Sequence, residues 1–200
     1  MDYLALLQRW NKVYNLTSLR DPDEMLSHHL VDCLAVLPAL RGWVAGLLGS
    51  QAAAPRLLDV GSGGGLPGVL LALLHPGWAV DCVDTVGKKV SFIRQVAADL
   101  RLPNLKGLHA RVESLPAHAG RYDVITSRAF ASLADFTALS APLLAVQGVW
   151  MAMKGKSPAE ELAALPVGVQ VFHVEQIQVP DLDAQRCLVW MRRSGDMPRR

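Results

Sequence analysis

Apolar and polar positions alternate in blocks that predict strands and helices in turn through the middle of the chain. The pattern predicts strands over 56–60, 79–84, 105–110, 122–127 and 148–153, and helices over 67–74, 87–101, 132–145 and 157–164. Alternation of this kind indicates an α/β fold, a mostly parallel sheet that carries helices on both faces. Ligands bind such sheets at the carboxyl ends of the strands.

The N-terminal part departs from this alternation. Residues 2–14 have helical spacing, and one face carries Leu4, Leu7, Trp10, Val13 and Tyr14. A second helix begins at Asp21, a capping residue followed by proline and two acids, and runs toward Pro38. Residues 1–50 are therefore expected to form a helical cap in front of a core over 51–200, all within a single compact domain.

The C-terminal part also departs from the alternation. Segments 167–179 and 186–193 alternate as extended strands around a short turn over 180–184. The chain is thus expected to end in an antiparallel hairpin at one edge of the sheet.

One loop carries most of the chemical information. Five of the eight positions 61–68 are glycine, between a strand that ends at Val60 and a helix expected to begin with Pro67. Glycine adopts positive φ and lets the backbone approach a ligand closely. The helix N-terminus behind the loop offers unpaired N–H groups. The loop predicts a nucleotide-like cofactor.

Two cofactor types fit this loop. G-x-G-x-x-G, starting at Gly63, is the dinucleotide pattern, and G-x-G-x-G, starting at Gly61 after Asp59, is the nucleoside-binding loop of class I methyltransferases. Asp84, about 20 residues after the loop, is placed to accept hydrogen bonds from ribose hydroxyls in either case. The terminal hairpin is usual in methyltransferases and rare in dinucleotide dehydrogenases. A Rossmann-like class I methyltransferase that binds S-adenosylmethionine is the better interpretation.

Composition limits the class of protein. Of the 200 residues 51% are hydrophobic and 19% charged, enough for one well-cored domain and unlike a disordered chain. The net charge of +2 provides no general attraction to nucleic acid, so a basic surface must be local.

Cysteine usage and hydropathy suggest a cytoplasmic protein. Cys33, Cys82 and Cys187 are scattered and odd in number, as expected of buried free thiols in a reducing compartment, and no spacing suits a metal. The most apolar stretch, 34–48, is interrupted by Pro38 and is too short to cross a membrane. The N-terminus lacks a signal-peptide layout.

Motifs along nearly the whole chain resemble one family. In family order they are Trp10–Ser18, Arg20-Asp21-Pro22, His29–Asp32, Val60–Gly68, Asp84 with Gly87-Lys88-Lys89, Arg111-Val112-Glu113, Ser127–Ala131 and Met153-Lys154-Gly155. They resemble the RsmG family, also called GidB, whose members methylate N7 of a guanine in small-subunit (16S) ribosomal RNA. The sequence departs from the family at Gly64, where proline is frequent.

The resemblance implies particular cofactor contacts. It places Gly61, Leu66, Val112, Glu113 and Arg128 at the S-adenosylmethionine site. The loop pattern and the second strand add Asp59, Ser62, Gly63, Gly65 and Asp84. Two alternatives stay open here: Glu113 also fits an ordinary surface acid, and Arg128 fits either a structural salt bridge or a cation directed into the cleft.

The segment after the fourth strand constrains the chemistry. Enzymes that methylate exocyclic amino groups carry Asp/Asn-Pro-Pro-Tyr/Phe there, whereas this chain has Ser127 to Phe130. No cysteine lies at a strand end, as attack on cytosine C5 would need. Guanine N7 is unprotonated at neutral pH and needs no general base, so catalysis would rest on positioning. Arg128 is expected to position the base or the cofactor without transferring a proton.

The expected partner is small-subunit ribosomal RNA or a ribosomal particle. The protein is expected to be a monomer. Residues expected to contact RNA are Lys88, Lys89 and Lys154 near strand ends, with Asn15 and Arg20, and also Arg9 and Lys12, on the cap. Each also fits a solvated surface charge. A small-molecule methyltransferase and a noncatalytic binding module are the alternatives. An oxidoreductase is disfavoured by the hairpin and by the absence of a Tyr-x-x-x-Lys pair.

Overall fold

The structure, a computed structural model, describes residues 2–48, 54–116, 122–128, 130–155, 158–179 and 186–195. The expected turn over 180–184, Ala129 and the expected boundary between residues 50 and 51 lie outside these ranges. The strands are β1 Arg56–Val60, β2 Ala79–Asp84, β3 Leu105–His109, β4 Tyr122–Ser127, β5 Leu144–Lys154, β6 Val169–Ile177 and β7 Arg186–Arg193. The helices are α1 Asp2–Tyr14, α2 Pro22–Met25, α3 Asp32–Leu34, α4 Leu37–Leu48, α5 Gly68–Leu74, α6 Gly87–Asp99, α7 Leu133–Ser140 and α8 Ala159–Ala163.

The seven strands form one sheet in the order β3-β2-β1-β4-β5-β7-β6. Strands β1 to β5 pair in parallel, and β7 runs antiparallel to both β5 and β6. The predicted parallel sheet and terminal hairpin are confirmed. After β3, at one edge, the chain returns to the middle of the sheet and forms β4 beside β1. The two halves of the sheet therefore meet between β1 and β4, and the carboxyl ends of these two strands form the switch point where a ligand is expected.

Several helix boundaries differ from the prediction by a few residues: α6 ends at Asp99 and not at 101, and α8 spans Ala159–Ala163 and not 157–164. Helix α7 ends at Ser140 and β5 begins at Leu144, whereas the sequence suggested a helix to 145 and a strand from 148. A 3₁₀ turn with Pro142 lies between them, and proline has no N–H to continue an α-helix. Helix α5 begins at Gly68, with Pro67 one position before it at the N-cap.

The second predicted helix is interrupted. A π-helical segment, Leu26–Val31, lies between α2 and α3 and carries His28 and His29. Asp21 caps α2 as expected, because its carboxylate accepts hydrogen bonds from the N–H groups of Asp23 and Glu24.

The N-terminal helices share a hydrophobic cluster with the sheet. Leu7 of α1 and Leu40 of α4 belong to the same buried cluster as Val69 and Ile93 from α5 and α6. A second cluster lies on the opposite face, where Phe136 of α7 packs with residues of β1, β4 and β5. Both faces of the sheet are therefore covered.

The expected apolar face of α1 is correct only for its first turns. Leu4 and Leu7 are buried, but Val13 is 69% exposed and Tyr14 is 43% exposed, because the last turn extends past the core. Asn11 is buried in their place. Its side-chain amide donates to the carbonyl of Leu19 and accepts from the N–H of Thr17, both at 2.9 Å, which fixes the segment after the helix.

Three further findings apply to the described residues alone. Within these ranges, no helix is both long enough and apolar enough to span a membrane. No group of three metal-binding side chains occurs in the same ranges. Cys33, Cys82 and Cys187 are all buried, and no disulfide joins any of them to another described cysteine.

Candidate cofactor and substrate site

The glycine loop, residues 61–68, joins the end of β1 to α5 at the switch point. Gly61, Gly63 and Gly65 have φ of +67°, +59° and +84°, a region that side chains other than glycine rarely adopt. A Cβ on Gly65 would also lie 2.5 Å from Cγ2 of Val69. Any other residue at these three positions would therefore strain the backbone of the loop, and at Gly65 it would also clash with Val69.

Asp59 holds the far end of the loop from inside β1. Its Oδ2 accepts a hydrogen bond from the N–H of Gly68 at 3.0 Å, while its buried Oδ1 has no partner among the described residues. Burial raises the pKa of this carboxyl to about 7. A buried acceptor without a partner is rare and fits a site that a ligand completes.

Asp84, at the end of β2, tethers the other end of the loop. Its Oδ2 accepts from the N–H of Gly63 at 2.9 Å and its Oδ1 from the N–H of Val86 at 2.8 Å. Each carboxylate oxygen has two lone pairs, so one remains on each. Asp84 can therefore fix the loop and still accept hydrogen bonds from ribose hydroxyls.

A wide cavity of about 420 Å³ opens beside Asp84. It is lined by Gly61, Lys89, Phe130 and the turn Arg111–Glu113. Val112 is buried there, whereas the Glu113 side chain is 40% exposed and only 3.8 Å from Arg111. The dimensions and the donor and acceptor set suit a nucleoside.

A smaller inner cavity of about 150 Å³ lies between the glycine loop and the N-terminal helices. Gly61 and Lys89 line both cavities, which therefore meet at the loop. The inner cavity is lined by Ser62, Gly63 and Leu66 on one side and by Thr17, His29 and Arg128 on the other. All the predicted cofactor residues line this cleft except Asp59 and Gly65. Asp59 is buried, and Gly65 belongs to the loop that forms the floor of the cleft.

Arg128 follows β4 and is held by groups from the N-terminal helices. Its Nη1 donates to the carbonyl of His28 at 3.3 Å and lies 3.8 Å from Oδ2 of Asp32, while Nη1 and Nη2 are both 3.4 Å from Nδ1 of His29. Arg128 also lines the inner cavity and an outer cavity of about 370 Å³ that includes Lys154. The residue is thus both salt-bridged and directed into the cleft.

Several residues at the cleft are not among the predicted cofactor-binding or RNA-contacting residues. Asp32 is buried and binds Nε of Arg186 at 2.8 Å as well as Arg128. Thr17 and His29 face the glycine loop, and the hydroxyl of Tyr3 donates to the carbonyl of Gly64 at 2.6 Å. Asp32, Thr17 and His29 stand inside the quoted family segments, but nothing in the polar pattern indicates that they meet Arg128.

The expected RNA-contacting residues are dispersed. Lys89 lines the cleft and Lys88 is exposed, whereas Nζ of Lys154 is paired with Glu161 at 2.8 Å. Arg20 donates to Oδ1 of Asn15 at 2.7 Å. With Lys12, Arg20 lines a small separate cavity next to α1 and α2.

The histidine and the two buried cysteines at the cleft are poorly suited to proton transfer or covalent attack. Burial, with the Arg128 guanidinium second, lowers the pKa of His29 to about 4, so the imidazole is neutral near pH 7. Burial raises the pKa of Cys33 to about 12 and that of Cys82 well above its ordinary value. The site can bind and orient, but these residues do not provide a base or a thiolate.

Known proteins resemble the chain at three levels. Residues 1–189 match the model of the GidB family, described as rRNA small subunit methyltransferase G. A relative from Albidiferax ferrireducens, named ribosomal RNA small subunit methyltransferase G, is 64% identical over 199 residues, which cover 98% of this chain and 88% of the relative.

Two solved structures resemble the fold. TrmN from Thermus thermophilus has a TM-score of 0.60 at 22% identity, covering 84% of this chain and 53% of its own. A coclaurine N-methyltransferase bound to N-methylheliamine and SAH has a TM-score of 0.58 at 12% identity, covering 88% and 59%. At such identities the likeness establishes the class I methyltransferase fold alone.

Proposed function

Since the chain belongs to the rRNA small subunit methyltransferase G (GidB) family, we propose that it methylates N7 of a guanine in 16S ribosomal RNA with S-adenosylmethionine as methyl donor. The family match over residues 1–189 is the observation that carries this conclusion. The glycine loop and the switch-point cleft support it.

The cleft residues suit the two ends of this cofactor. Asp84, Val112 and Glu113 line the wide cavity and would hold the nucleoside, and the glycine loop with Leu66 and Arg128 lines the inner cavity, which would hold the methionine portion. When bound, S-adenosylmethionine supplies a methyl group activated by its sulfonium. The unpartnered Oδ1 of Asp59 is an acceptor that the cofactor's amino group would satisfy, directly or through water.

The reaction requires the protein to position groups and not to move a proton. The N7 lone pair forms the new N–C bond, the C–S bond breaks, and its electron pair goes to sulfur, so no proton leaves the base. Holding two reactants in attack geometry is worth about 7–11 kcal/mol in favourable cases. Arg128, anchored by Asp32 and the carbonyl of His28, is placed to provide such orientation at the point where the inner and outer cavities meet.

We also infer the form of the substrate and the residues that bind it. The substrate is naked small-subunit RNA or a ribosomal particle in the cytoplasm, and the enzyme acts as a monomer. The residues proposed to contact RNA are Lys88, Lys89, Lys154, Arg20 and Asn15, and residues 1–50 are proposed to act as a cap over the core of residues 51–200. Lys154 would have to exchange Glu161 for a phosphate, so its contribution is expected to be the smallest of the lysines.

Transfer of labelled methyl tests the proposal. The enzyme is incubated with labelled S-adenosylmethionine and either small-subunit particles or deproteinised small-subunit RNA, and the modified base is identified by nucleoside analysis. Label in N7-methylguanine is the expected result, and the better of the two substrates shows what is recognised. Label in another base would contradict the assignment. Cofactor binding without label in either RNA would favour a small-molecule substrate or a noncatalytic binder.

A further inference from the structure

The inner cavity is bordered by neutral polar and basic side chains on its cap side. Thr17, His29 and Arg128 face the glycine loop, and Lys89 lies at the junction with the wide cavity. None of the described residues that line the inner cavity is acidic. These surroundings favour an anion at the far end of a ligand whose ribose is bound at Asp84.

The hydrogen bonds around His29 determine its tautomer. Arginine has only donors, so Nδ1 of His29, 3.4 Å from both terminal nitrogens of Arg128, carries no proton. The ring is neutral because burial and the neighbouring guanidinium lower its pKa to about 4. The single ring proton is therefore on Nε2, which lies 2.8 Å from Oγ1 of Thr17.

This tautomer determines what the Thr17 hydroxyl can do. Oγ1 accepts from Nε2–H of His29 and also from the backbone N–H of Leu19 at 3.3 Å. Both lone pairs of the oxygen are thus engaged. The hydroxyl proton makes no hydrogen bond with any residue in the described ranges, and the side chain lines the inner cavity beside the glycine loop.

We propose that Thr17 binds the carboxylate of the cofactor's methionine portion through this hydroxyl proton, and that His29 is the positioning residue that keeps the proton available. Carboxylates accept several hydrogen bonds, and bonds to an ionised acceptor are stronger than neutral ones. Arg128 supplies the charge on the same side of the cavity. The inference rests on the proposed function only in taking S-adenosylmethionine as the cofactor.

A pair of ligands isolates the carboxylate. S-adenosylhomocysteine and its decarboxylated analogue, S-adenosyl-3-thiopropylamine, share the nucleoside, the thioether and the amino group. Calorimetric titration of wild type and Thr17→Val with both is expected to show about tenfold weaker binding of S-adenosylhomocysteine to the variant. Binding of the decarboxylated analogue is expected to stay within twofold. Thr17→Ser restores the hydroxyl and is expected to restore the affinity, and Ser18→Ala is the control that removes a neighbouring exposed hydroxyl.

The positioning role of His29 is tested by coupling. His29→Ala is expected to weaken the binding of S-adenosylhomocysteine several-fold, because the hydroxyl proton of Thr17 is then free to turn toward other acceptors. Thr17→Val is expected to reduce the affinity for S-adenosylhomocysteine much less in the His29→Ala background than in wild type. Additive losses would remove His29 from the proposal.

Other outcomes overturn the inference. Equal weakening of both ligands in Thr17→Val would indicate a general distortion of the cleft, and unchanged affinity would show that Thr17 makes no contact. If Thr17→Val does not fold, equal affinity of wild type for the two ligands would still overturn the inference, and Thr17→Ser tests the residue itself. None of these measurements uses RNA, so a failure to methylate RNA would overturn the proposed function and leave this inference standing.

Discussion

The two walls of the cleft are built in different ways. The loop wall consists of the glycine loop and the ends of β1 and β2, and backbone N–H groups bound to Asp59 and Asp84 hold its shape. The cap wall is a network of side chains, in which Arg128 meets His28, His29 and Asp32 about a hundred positions earlier in the chain. A wall made from backbone depends on φ angles, whereas a wall made from side chains depends on charge and hydrogen-bond partners.

The largest expected effect is on the loop wall. Gly65→Ala places a Cβ 2.5 Å from Val69 and 3.2 Å from Ile93 at a φ of +84°. We expect a loss of about 3 kcal/mol in the free energy of unfolding, typical of strain combined with overpacking. Binding of S-adenosylhomocysteine is expected to fall at least tenfold. Urea unfolding and calorimetric titration measure the two quantities.

Gly64→Ala is the matched control. A Cβ at this position would lie at ordinary contact distance, 3.4 Å from the hydroxyl of Tyr3 and 3.5 Å from Leu7. Both stability and affinity are expected to stay close to wild type. Equal losses in the two variants would mean that the loop wall does not depend on the φ of Gly65.

The next effect concerns the cap wall. Asp32→Asn keeps the shape of a buried carboxylate that binds Arg186 and Arg128, but removes its charge. Breaking a buried pair typically costs 3–5 kcal/mol, and since both arginines are partly exposed we expect about 2 kcal/mol. Methyl transfer is expected to fall more than affinity for S-adenosylhomocysteine. The control is Asp23→Asn at an exposed position. Unchanged stability and methyl transfer in Asp32→Asn would contradict a cap wall that depends on the charge of Asp32.

Asp59 makes the stability of the loop wall depend on pH. Burial raises its pKa from 3.8 in the unfolded reference to about 7, so between these values the folded state binds a proton that the unfolded state has released. This stabilisation is fully present below about pH 4 and is lost as the pH rises through about 7. The expected loss is about 1.4 kcal/mol for each pH unit within the window.

Asp59→Asn cannot titrate and is the comparison for this pH dependence. Urea unfolding at pH 5, 6, 7 and 8 is expected to show the stability of wild type, relative to Asp59→Asn, decreasing and then levelling off above about pH 7. A constant difference between the two proteins over this range would mean that Asp59 is ionised in the folded state.

The loop wall could be predicted from the sequence because its signals are local. The glycines that need positive φ, Gly61, Gly63 and Gly65, lie within five positions of one another, and Asp84 ends a strand with an apolar pattern. Strands β1, β2 and β4 were predicted for the same reason, since apolar runs bounded by turn residues are short-range patterns.

The cap wall could not be predicted in this way. Thr17 lies between α1 and α2, and His29 and Asp32 lie on helical segments. All three are ordinary polar residues, and only the tertiary fold brings them to Arg128. Two other features depend likewise on where α1 and α2 end against the core. They are the exposure of Val13 and Tyr14 and the π-helical segment. Side-chain networks of distant residues leave no periodic signal.

The smallest expected effect concerns the hydrogen bond that joins the two walls. The buried hydroxyl of Tyr3 in α1 donates to the carbonyl of Gly64 at 2.6 Å, and burial raises the pKa of the phenol, which keeps the proton in place. Tyr3→Phe leaves that carbonyl without its donor, which we expect to cost about 1 kcal/mol of stability. Affinity for S-adenosylhomocysteine is expected to fall two- to threefold, as the loop loses one restraint. Tyr14→Phe, on the exposed end of the same helix, removes an equivalent hydroxyl and is expected to change neither quantity. Equal, measurable losses from both variants would indicate that α1 stabilises the fold as a whole, and no loss from Tyr3→Phe would show that the cap and the loop are positioned independently.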